Sequence, residues 1–307
     1  MDFIAPKPTQ DYKVLIKCMT YNQEKYIEDA LKGFVRQKTN FPFCALVVDD
    51  CSTDGNAEII KRYEREYPDI IKGIYLPVNM YGNPEKQKYI QPWEERAQYI
   101  AYCEGDDYWL DDNKLQMQVD FLEKNKEYGM VYTNYFERIG DNLKNGTFPP
   151  IEGDCLKDYL LKKGFIPTAT TLIRTRIFLQ RDLEYTKMKF LMGDVPLWIQ
   201  IMHVSKIKRL PYQTAVYRIL TESASHSHEY EKRQCFNISA WEVRKYFADK
   251  YGLSDVSQQI EKEINKNKAL LSFYKGEYWD YLRIQPWKYD VFNLKTLCWA
   301  LKQKNRK

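Results

Sequence analysis

Short apolar runs alternate with helical stripes along the first half of the chain. The runs begin at Val14, Cys44, Ile70, Tyr99 and Met130, and each has the length of a buried strand. Between the runs, apolar residues recur three and four positions apart, which is the spacing of one helix face. This alternation predicts an α/β fold in which helices flank a mostly parallel central sheet.

Polar residues directly follow three of the predicted strands. They lie at positions 20–24, 49–50 and 104–107. In open α/β sheets, ligands bind beyond the carboxyl ends of the strands. We therefore expect these three groups to line one crevice.

The pattern of the first half breaks in two segments and changes near the C-terminus. Residues 77–96 and 135–150 are polar and contain several glycines and prolines, so both are predicted to be long loops. After residue 229, helical stripes continue without intervening strands. The sequence predicts a domain over residues 1–228 and a C-terminal helical extension over residues 229–307.

The last helical stripe is strongly basic. Its cations are Lys295, Lys302, Lys304, Arg306 and Lys307. A basic amphipathic helix can lie on an anionic membrane surface, which would give peripheral contact with the inner face of the cytoplasmic membrane. The alternative is a helix that packs on its own domain and turns its basic side to water. The pattern leaves both interpretations open.

Composition narrows the class of protein. Hydrophobic residues make up 44% and charged residues 29% of the 307 positions, as in ordinary soluble domains. The net charge of +5 is too small to indicate nucleic-acid binding. The 7 cysteines include no C-x-x-C pair, which argues against a zinc site and for a reducing compartment. No apolar run has the length of a membrane span, so we expect a cytoplasmic protein.

The quartet Glu104-Gly105-Asp106-Asp107 is the main candidate for chemistry. Carboxylates this close repel one another, and burying them costs free energy unless a cation or hydrogen-bond donors compensate. Oxygen ligands of this kind suit magnesium or manganese. The alternative is an exposed acidic turn that precedes the next helix. The quartet by itself leaves the choice between metal site and acidic turn open.

Three further positions have both a structural and a functional interpretation. Asp194 precedes a helix and is either its N-cap or a general base at the mouth of the crevice. Arg218 ends a predicted strand, and His226 follows in a Ser-rich loop that is either solvated or supplies an imidazole to a metal or a diphosphate. The chain has no Gly-rich phosphate loop, so a diphosphate would have to be held by a metal and side chains.

In their order and spacing, these segments resemble the family-2 glycosyltransferases with the GT-A fold. The pieces that match are KVLIKCMTYN, VVDDCSTD, YIAYCEGDDYW, MGDVPLW and VYR, and they lie within residues 12–228. Glu104-Gly105-Asp106 corresponds to the D-x-D motif of the family, with Glu in place of the first Asp. The family's N-x-G-x-x-x-A-R-N stretch is echoed only by Asn79, Gly82 and Arg96-Ala97, so donor contacts made there cannot be carried over.

The resemblance implies a role for each candidate residue. On the nucleotide side, the residues implied to lie beside the base are Thr20, Tyr21, Asn22 and Glu24, with Asp50 on the uracil ring and Glu104 near the ribose. The implied ligands of the metal are Asp106 or Asp107, together with His226. Asp194 corresponds to the general base, and Arg218 is implied to contact the nucleotide sugar.

The implied reaction is an inverting transfer from a nucleotide-sugar donor, such as a UDP-sugar, to a hydroxyl of a glycan or lipid-linked saccharide. Manganese or magnesium would be the cofactor, and the process would belong to polysaccharide biosynthesis. A nucleotidyltransferase that makes nucleotide sugars also needs paired acids and a metal, but it would be expected to carry a Gly-rich basic loop near the N-terminus. A non-catalytic nucleotide-sugar-binding module and a nucleic-acid binder are the two remaining classes of protein.

Overall fold

The computed structural model describes residues 5–146, 148–161, 164–220 and 229–284. The chain forms two compact units. The first unit comprises residues 1–155, 164–181 and 204–218, and the second comprises residues 156–163, 182–203 and 219–307. The segment 182–203 therefore groups with the later helices, while the boundary that the sequence places after residue 228 stays a prediction.

Among the described residues, the first unit contains a single mixed sheet of nine strands. Eight strands lie in the order β3-β2-β1-β4-β8-β6-β9-β5, and β7 pairs with β6. The strand bounds are β1 Tyr12–Thr20, β2 Phe43–Asp49, β3 Ile71–Tyr75, β4 Ala97–Tyr102, β5 Tyr108–Trp109, β6 Tyr128–Ile139, β7 Asn142–Asn145, β8 Leu172–Arg174 and β9 Lys206–Arg218. The helices of this unit are α1 Ile27–Val35, α2 Asn56–Glu66, α3 Gln87–Glu94, α4 Lys114–Lys124 and α6 Thr175–Phe178.

Strands β1 to β4 are parallel to one another and form the buried half of the sheet. All seven residues of β2 are buried, as expected for a strand covered on both faces. Helix α1 packs on this sheet through Ile27, Leu31 and Phe34. Its Gly33 lies so close to β5 that a Cβ would come within 3.0 Å of the Trp109 backbone. The predicted α/β class and the adjacent ends of β1, β2 and β4 are confirmed.

The sequence-based interpretation of residues 77–96 as a loop is wrong in its second half. Residues 84–86 form a 3₁₀ turn, and α3 follows directly. Pro92 lies in the last turn of α3, while Ile90 and Trp93 bury one face of the helix. On the same helix Glu94 is completely buried and forms an ion pair with Lys17 of β1.

The interpretation of residues 135–150 as a loop is also wrong in part. Strand β6 continues to Ile139, and β7 pairs with it as a hairpin in which Ile139 opposes Asn142. The connecting Gly140 has a φ of +56°, which a glycine adopts without strain. The polar side chains of β7 are all exposed, so the usual hydrophobic signal of a strand is missing there.

The described part of the second unit is mainly helical. Its helices are α5 Leu156–Leu161, α7 Asp194–Val204, α8 Tyr230–Lys250, α9 Ser254–Lys275 and α10 Tyr278–Arg283. The basic stripe 294–307 lies outside the described residues. None of the helices in the described part of the chain has the length and apolar content that crossing a bilayer requires. No disulfide joins the cysteines within the described ranges.

Candidate active site

The loops after β1 and β2 are fastened to each other by reciprocal hydrogen bonds. Asn22 donates its N–H to Ser52 Oγ and accepts the N–H of Thr53. The Glu24 N–H donates to Asp54, and Glu24 Oε2 accepts the Gly55 N–H at 2.7 Å. Carboxylates at this position satisfy free donors at the start of α2. In this structure Asn22 and Glu24, which the resemblance places beside the base, bond to the neighbouring loop.

A buried chain of polar groups lies beneath these loops. Thr20 Oγ1 bonds to Asn56 Oδ1 at 3.0 Å, and Asn56 Nδ2 donates to Asp49 Oδ1 at 2.6 Å. Asp49 also accepts the N–H of Ser52. These bonds join the ends of β1 and β2 to the first turn of α2. Tyr21, by contrast, is 46% exposed and available to a ligand.

Asp50 is 5% exposed and is bonded at both carboxylate oxygens. Its Oδ1 accepts the N–H of Met80 at 2.7 Å, and its Oδ2 lies 3.0 Å from Lys86 Nζ. Asn79 Nδ2 donates to the carbonyl of Asp50. The segment 79–86 therefore lies directly against the end of β2. The pair of Asp50 and Lys86 presents a hydrogen-bond acceptor beside a donor.

The acidic quartet forms a turn at the end of β4 and is held by neighbouring elements. Gly105 donates its N–H to the carbonyl of Met19 in β1, and Glu104 accepts a hydrogen bond from Thr168 Oγ1. A Cβ on Gly105 would come within 2.5 Å of Gln23 and 2.7 Å of Thr20. Glycine is therefore required by this close approach. The turn is fixed against the loop after β1.

The two aspartates of the turn have different surroundings. Asp107 is 3% exposed, and its Oδ1 accepts the N–H of Arg218 at 2.8 Å. Burial, together with the charges of Asp106 and Glu104, raises the pKa of Asp107 well above its usual value. Asp106 is half-buried, and burial raises its pKa, while Arg218 and a bond from Gln23 act in the opposite direction.

Arg218 holds the turn from the end of β9. Besides the backbone bond to Asp107, its Nη1 donates to the carbonyl of Asp106 at 2.5 Å, and its Nη2 forms an ion pair with Asp29 of α1. Its guanidinium lies 4.5 Å from the centre of the Tyr108 ring. Arg218 is 8% exposed. Both of its terminal guanidinium nitrogens are therefore engaged, one with the turn and one with Asp29.

The residues of the turn fit a divalent cation whose remaining coordination comes from a bound ligand, such as a phosphate. Within the described ranges, no three His, Cys, Asp or Glu side chains come together in a way that could hold a metal. Magnesium, however, is commonly held by one or two carboxylates and substrate phosphates. Beside Asp106, the buried Gln23 Oε1 has no hydrogen-bond donor in the described structure. The half-buried carboxylate of Asp106 and the oxygen of Gln23 are suitable ligands for such a cation. Asp107, in contrast, already accepts a hydrogen bond from Arg218.

Asp194 begins α7 in the second unit and is half-buried. Burial raises its pKa, and the charge of Arg244 on α8 acts in the opposite direction. Arg244 is 2% exposed and donates to the carbonyl oxygens of Tyr159 and Ala240. A carboxyl group with a raised pKa is suited to general-base chemistry near neutral pH. His226, the third implied metal ligand, lies outside the described residues.

No individual role was assigned to Lys86, Gln23 or Asn56 from the sequence. Lys86 lies in a segment interpreted as a loop, so only its charge was visible. Gln23 and Asn56 stand next to candidates that were named, and their neutral amides gave no signal of their own. A search for amides near the predicted strand ends would have found Gln23 and Asn56, but Lys86 lies 36 positions from Asp50, beyond any local pattern.

A family model described as Glycosyl transferase family 2 matches residues 18–182, which is more than half of the 307 residues. The uncharacterized protein Rv1520 of Mycobacterium tuberculosis H37Rv is 32% identical over 233 residues, which cover 75% of this chain and 64% of that protein. The chain thus spans slightly less than two thirds of that relative's length.

Two further proteins are similar to the chain. TarS of Staphylococcus aureus, named a poly(ribitol-phosphate) beta-N-acetylglucosaminyltransferase, is 34% identical over 108 residues, covering 34% of this chain and 18% of TarS. The TarS 1–349 structure with UDP has a TM-score of 0.57 at 17% identity and covers 95% of this chain and 88% of its own. Mannosyltransferase PcManGT of Pyrobaculum calidifontis, in complex with GDP-Man and Mn²⁺, has a TM-score of 0.53 at 13% identity, covering 98% and 86%. At these identities the likeness shows the fold alone, and the predicted GT-A fold is confirmed.

Proposed function

Because the chain belongs to glycosyltransferase family 2, we propose that it transfers a sugar from a nucleoside diphosphate donor to a hydroxyl group of a glycan or lipid-linked saccharide. One observation carries the proposal: Asp50 and Asp106 follow β2 and β4, which end at the same edge of the sheet with only β1 between them. Adjacent strands lie about 4.8 Å apart, so β2 and β4 are separated by roughly 10 Å. A nucleoside diphosphate needs a base contact and a phosphate-bound cation at about such a spacing.

The pair of Asp50 and Lys86 favours a base with an N–H next to a carbonyl. Asp50 accepts a hydrogen bond from the N–H, and Lys86, 3.0 Å from Asp50 Oδ2, donates to the carbonyl oxygen. Uracil and guanine offer this edge, whereas cytosine and adenine offer a ring acceptor beside an amine. TarS, which the chain resembles, has been solved with UDP. We therefore propose a UDP-sugar as the donor.

Asp106 is proposed to hold a manganese or magnesium ion together with the diphosphate. When bound, the ion supplies Lewis-acid stabilisation of the negative charge that develops on the leaving diphosphate. PcManGT, a protein of the same fold, has been solved with Mn²⁺. Asp107 and Arg218 position the turn, and Glu104 lies on the ribose side. Tyr21, being exposed, is the residue of the loop after β1 that is free to pack on the base.

Asp194 is proposed to act as the general base. It would take the proton from the acceptor hydroxyl as the oxygen attacks the anomeric carbon, so that transfer proceeds with inversion. The proposal rests on the resemblance of the segment around Asp194 to the family and on the raised pKa of its carboxyl group. Backbone hydrogen bonds, first that from Val195, and the charge of Arg244 act against this rise in pKa.

The proposal is tested with a panel of nucleotides and nucleotide sugars. UDP and UDP-sugars should raise the melting temperature with manganese present, and CDP should not. Slow release of UDP from one UDP-sugar, accelerated by a saccharide acceptor, would identify the donor. Binding without hydrolysis or transfer would instead favour a non-catalytic module. Absence of any nucleotide binding would refute the proposal.

A further inference from the structure

Two arginines lie side by side next to the acidic turn. Arg138 of β6 and Arg218 of β9 are register partners in parallel strands. Arg138 Nη1 donates to the hydroxyl of Tyr108 at 3.2 Å, while Arg218 lies 4.5 Å from the centre of the same ring. Tyr108 comes directly after Asp107 in the chain. Both guanidinium groups therefore contact one tyrosine at the edge of the turn.

The two arginines differ in how closely a carboxylate pairs with them, although the charge of Asp29 acts on both. Arg218 is buried and forms an ion pair with Asp29. Arg138 is held by neutral acceptors, since its Nε donates to the carbonyl of Gly140 at 3.1 Å and its Nη1 to Tyr108. The carboxylate that pairs with it, Asp141, lies 3.9 Å away and is fully exposed. An exposed pair at this distance contributes little.

The side chain of Arg138 is 36% exposed, so part of its guanidinium faces solvent. Its position is fixed by two hydrogen bonds before any ligand binds. Arginine presents a planar fork of donors that matches the oxygens of phosphate, and a fork already held in place loses less entropy on binding. Neither the sequence resemblance nor the proposed mechanism uses this residue.

We propose that Arg138 binds a phosphate group at the edge of the acidic turn. This inference rests on the proposed function, which supplies a phosphate from one of two sources: the diphosphate of the donor or a phosphate carried by the acceptor. The carboxylates of the turn repel an anion while they lack a cation. Phosphate binding to Arg138 is therefore strongest when the divalent ion is present.

The test compares Arg138→Met and Arg138→Lys with the unaltered protein. Arg176→Met is the matched control, because Arg176 is an exposed arginine on α6 of the same unit. Affinity for UDP and for uridine is measured by calorimetry with manganese. Binding of inorganic phosphate to the UDP-saturated protein is followed by ³¹P NMR with magnesium, which is diamagnetic, in place of manganese. Circular dichroism and melting temperature confirm that each variant is folded.

Loss of one charge-assisted contact lowers affinity roughly 10- to 100-fold. If Arg138 binds the donor, Arg138→Met lowers the affinity for UDP by this factor and leaves the affinity for uridine unchanged. If Arg138 binds a phosphate of the acceptor, Arg138→Met keeps the UDP affinity of the unaltered protein. The UDP-saturated variant then no longer binds inorganic phosphate. Arg138→Lys should recover part of either effect, and Arg176→Met should show neither.

Equal affinity of the unaltered protein and Arg138→Met for UDP, together with equal phosphate binding in the presence of UDP, would overturn the inference. This outcome differs from failure of the proposed function. In that case the unaltered protein would itself bind neither UDP nor UDP-sugars. The calorimetric measurement on the unaltered protein therefore separates the two.

Discussion

The backbone N–H of Arg218 donates a hydrogen bond to Asp107 Oδ1 at 2.8 Å, although the two residues are 111 positions apart in the chain. The same arginine bonds the carbonyl of Asp106 and pairs with Asp29. The conformation of the acidic turn is thus set by β9, which follows it by about a hundred positions in the sequence. Three carboxylates stay together because their neighbours are donors that compensate part of their charge.

Arg218→Gln should weaken metal-dependent nucleotide binding more than metal-independent binding. The substitution removes the bond to the Asp106 carbonyl and leaves Asp29 without its cation. We expect the affinity for UDP with manganese to fall roughly 10-fold or more, since charge-assisted hydrogen bonds contribute about 1.5–3 kcal/mol. Calorimetry with and without manganese measures both values. Arg218→Lys retains the charge, and an equal loss with and without metal would contradict a positioning role.

Asp106→Asn should abolish the dependence of donor binding on metal. The neutral amide is a much poorer ligand for a hard cation than a carboxylate. Titration of manganese into the UDP complex, followed by calorimetry, should show no saturable binding in this variant. Asp107→Asn is the comparison, because Asp107 is buried and bonded to Arg218. If Asp107→Asn alone lost the metal, the assignment of Asp106 as the ligand would be wrong.

Lys86→Met should reduce discrimination between UDP and CDP. Removing the donor beside Asp50 leaves only an acceptor for the base edge, and we expect roughly 10-fold weaker UDP binding. Lys88→Met is the control, since Lys88 is exposed, pairs with the exposed Glu85 at 3.8 Å and lies over the ring of Tyr89. Competition binding of UDP and CDP gives the ratio. Tighter UDP binding by Lys86→Met would mean that Lys86 competes with the base for Asp50.

Asp194→Asn should stop transfer while donor binding persists. Loss of a general base typically lowers the rate by about 10²–10⁴. Because burial raises the pKa of Asp194, activity should increase with pH through a limb above the ordinary aspartate range of about 3.9. The pH profile of kcat/KM and the Kd of UDP are the measurements. A variant that loses both transfer and UDP binding would argue against the assignment.

The buried Lys114 should make stability depend on pH. Burial lowers the pKa of Lys114 to about 7, and the Trp109 ring and Gln118 surround its amine. Between that pH and about 10.4 the unfolded state binds one more proton than the native state, so stability rises by about 1.4 kcal/mol per pH unit from this group. Below pH 7 the native lysine is charged as well, and the slope vanishes.

Urea unfolding at pH 7, 8 and 9 measures this slope. Lys114→Met should show a flatter pH dependence over this range than the unaltered protein. Lys124→Met, in the last turn of the same helix, should keep the slope. Identical slopes in all three proteins would show that Lys114 is not neutral in the native state.

The sheet edge could be predicted because buried parallel strands leave a continuous apolar signal. Strand β2 is apolar up to Asp49, so the polar residues after it were visible at once. Helix α3 was missed because Pro92 breaks its pattern and because its buried Glu94 reads as a surface residue. Its partner Lys17 lies 77 positions away. No local pattern reports a pairing of that kind.

The same limit applied to the site residues. Carboxylates at strand ends could be named from the sequence, but their partners could not. Asp50 and Lys86 are 36 positions apart, and Glu104 and Thr168 are 64 apart. Asn22 and Glu24 form hydrogen bonds with the loop after β2, and only the tertiary structure brings that loop close to them. The sequence thus indicates where charged residues cluster, and the fold determines which of them already have a partner.

The bond between Arg218 and the acidic turn also constrains the order in which this protein folds. Strands β1 to β4 can pair as soon as the first hundred or so residues emerge during synthesis, but Arg218 is made later than all of them. Contacts of such high sequence separation form slowly because a long loop must close first. The turn should therefore reach its final geometry only after β9 has joined the sheet. A nascent or truncated chain that ends before β9 would carry its acidic residues in a loose, strongly self-repelling loop.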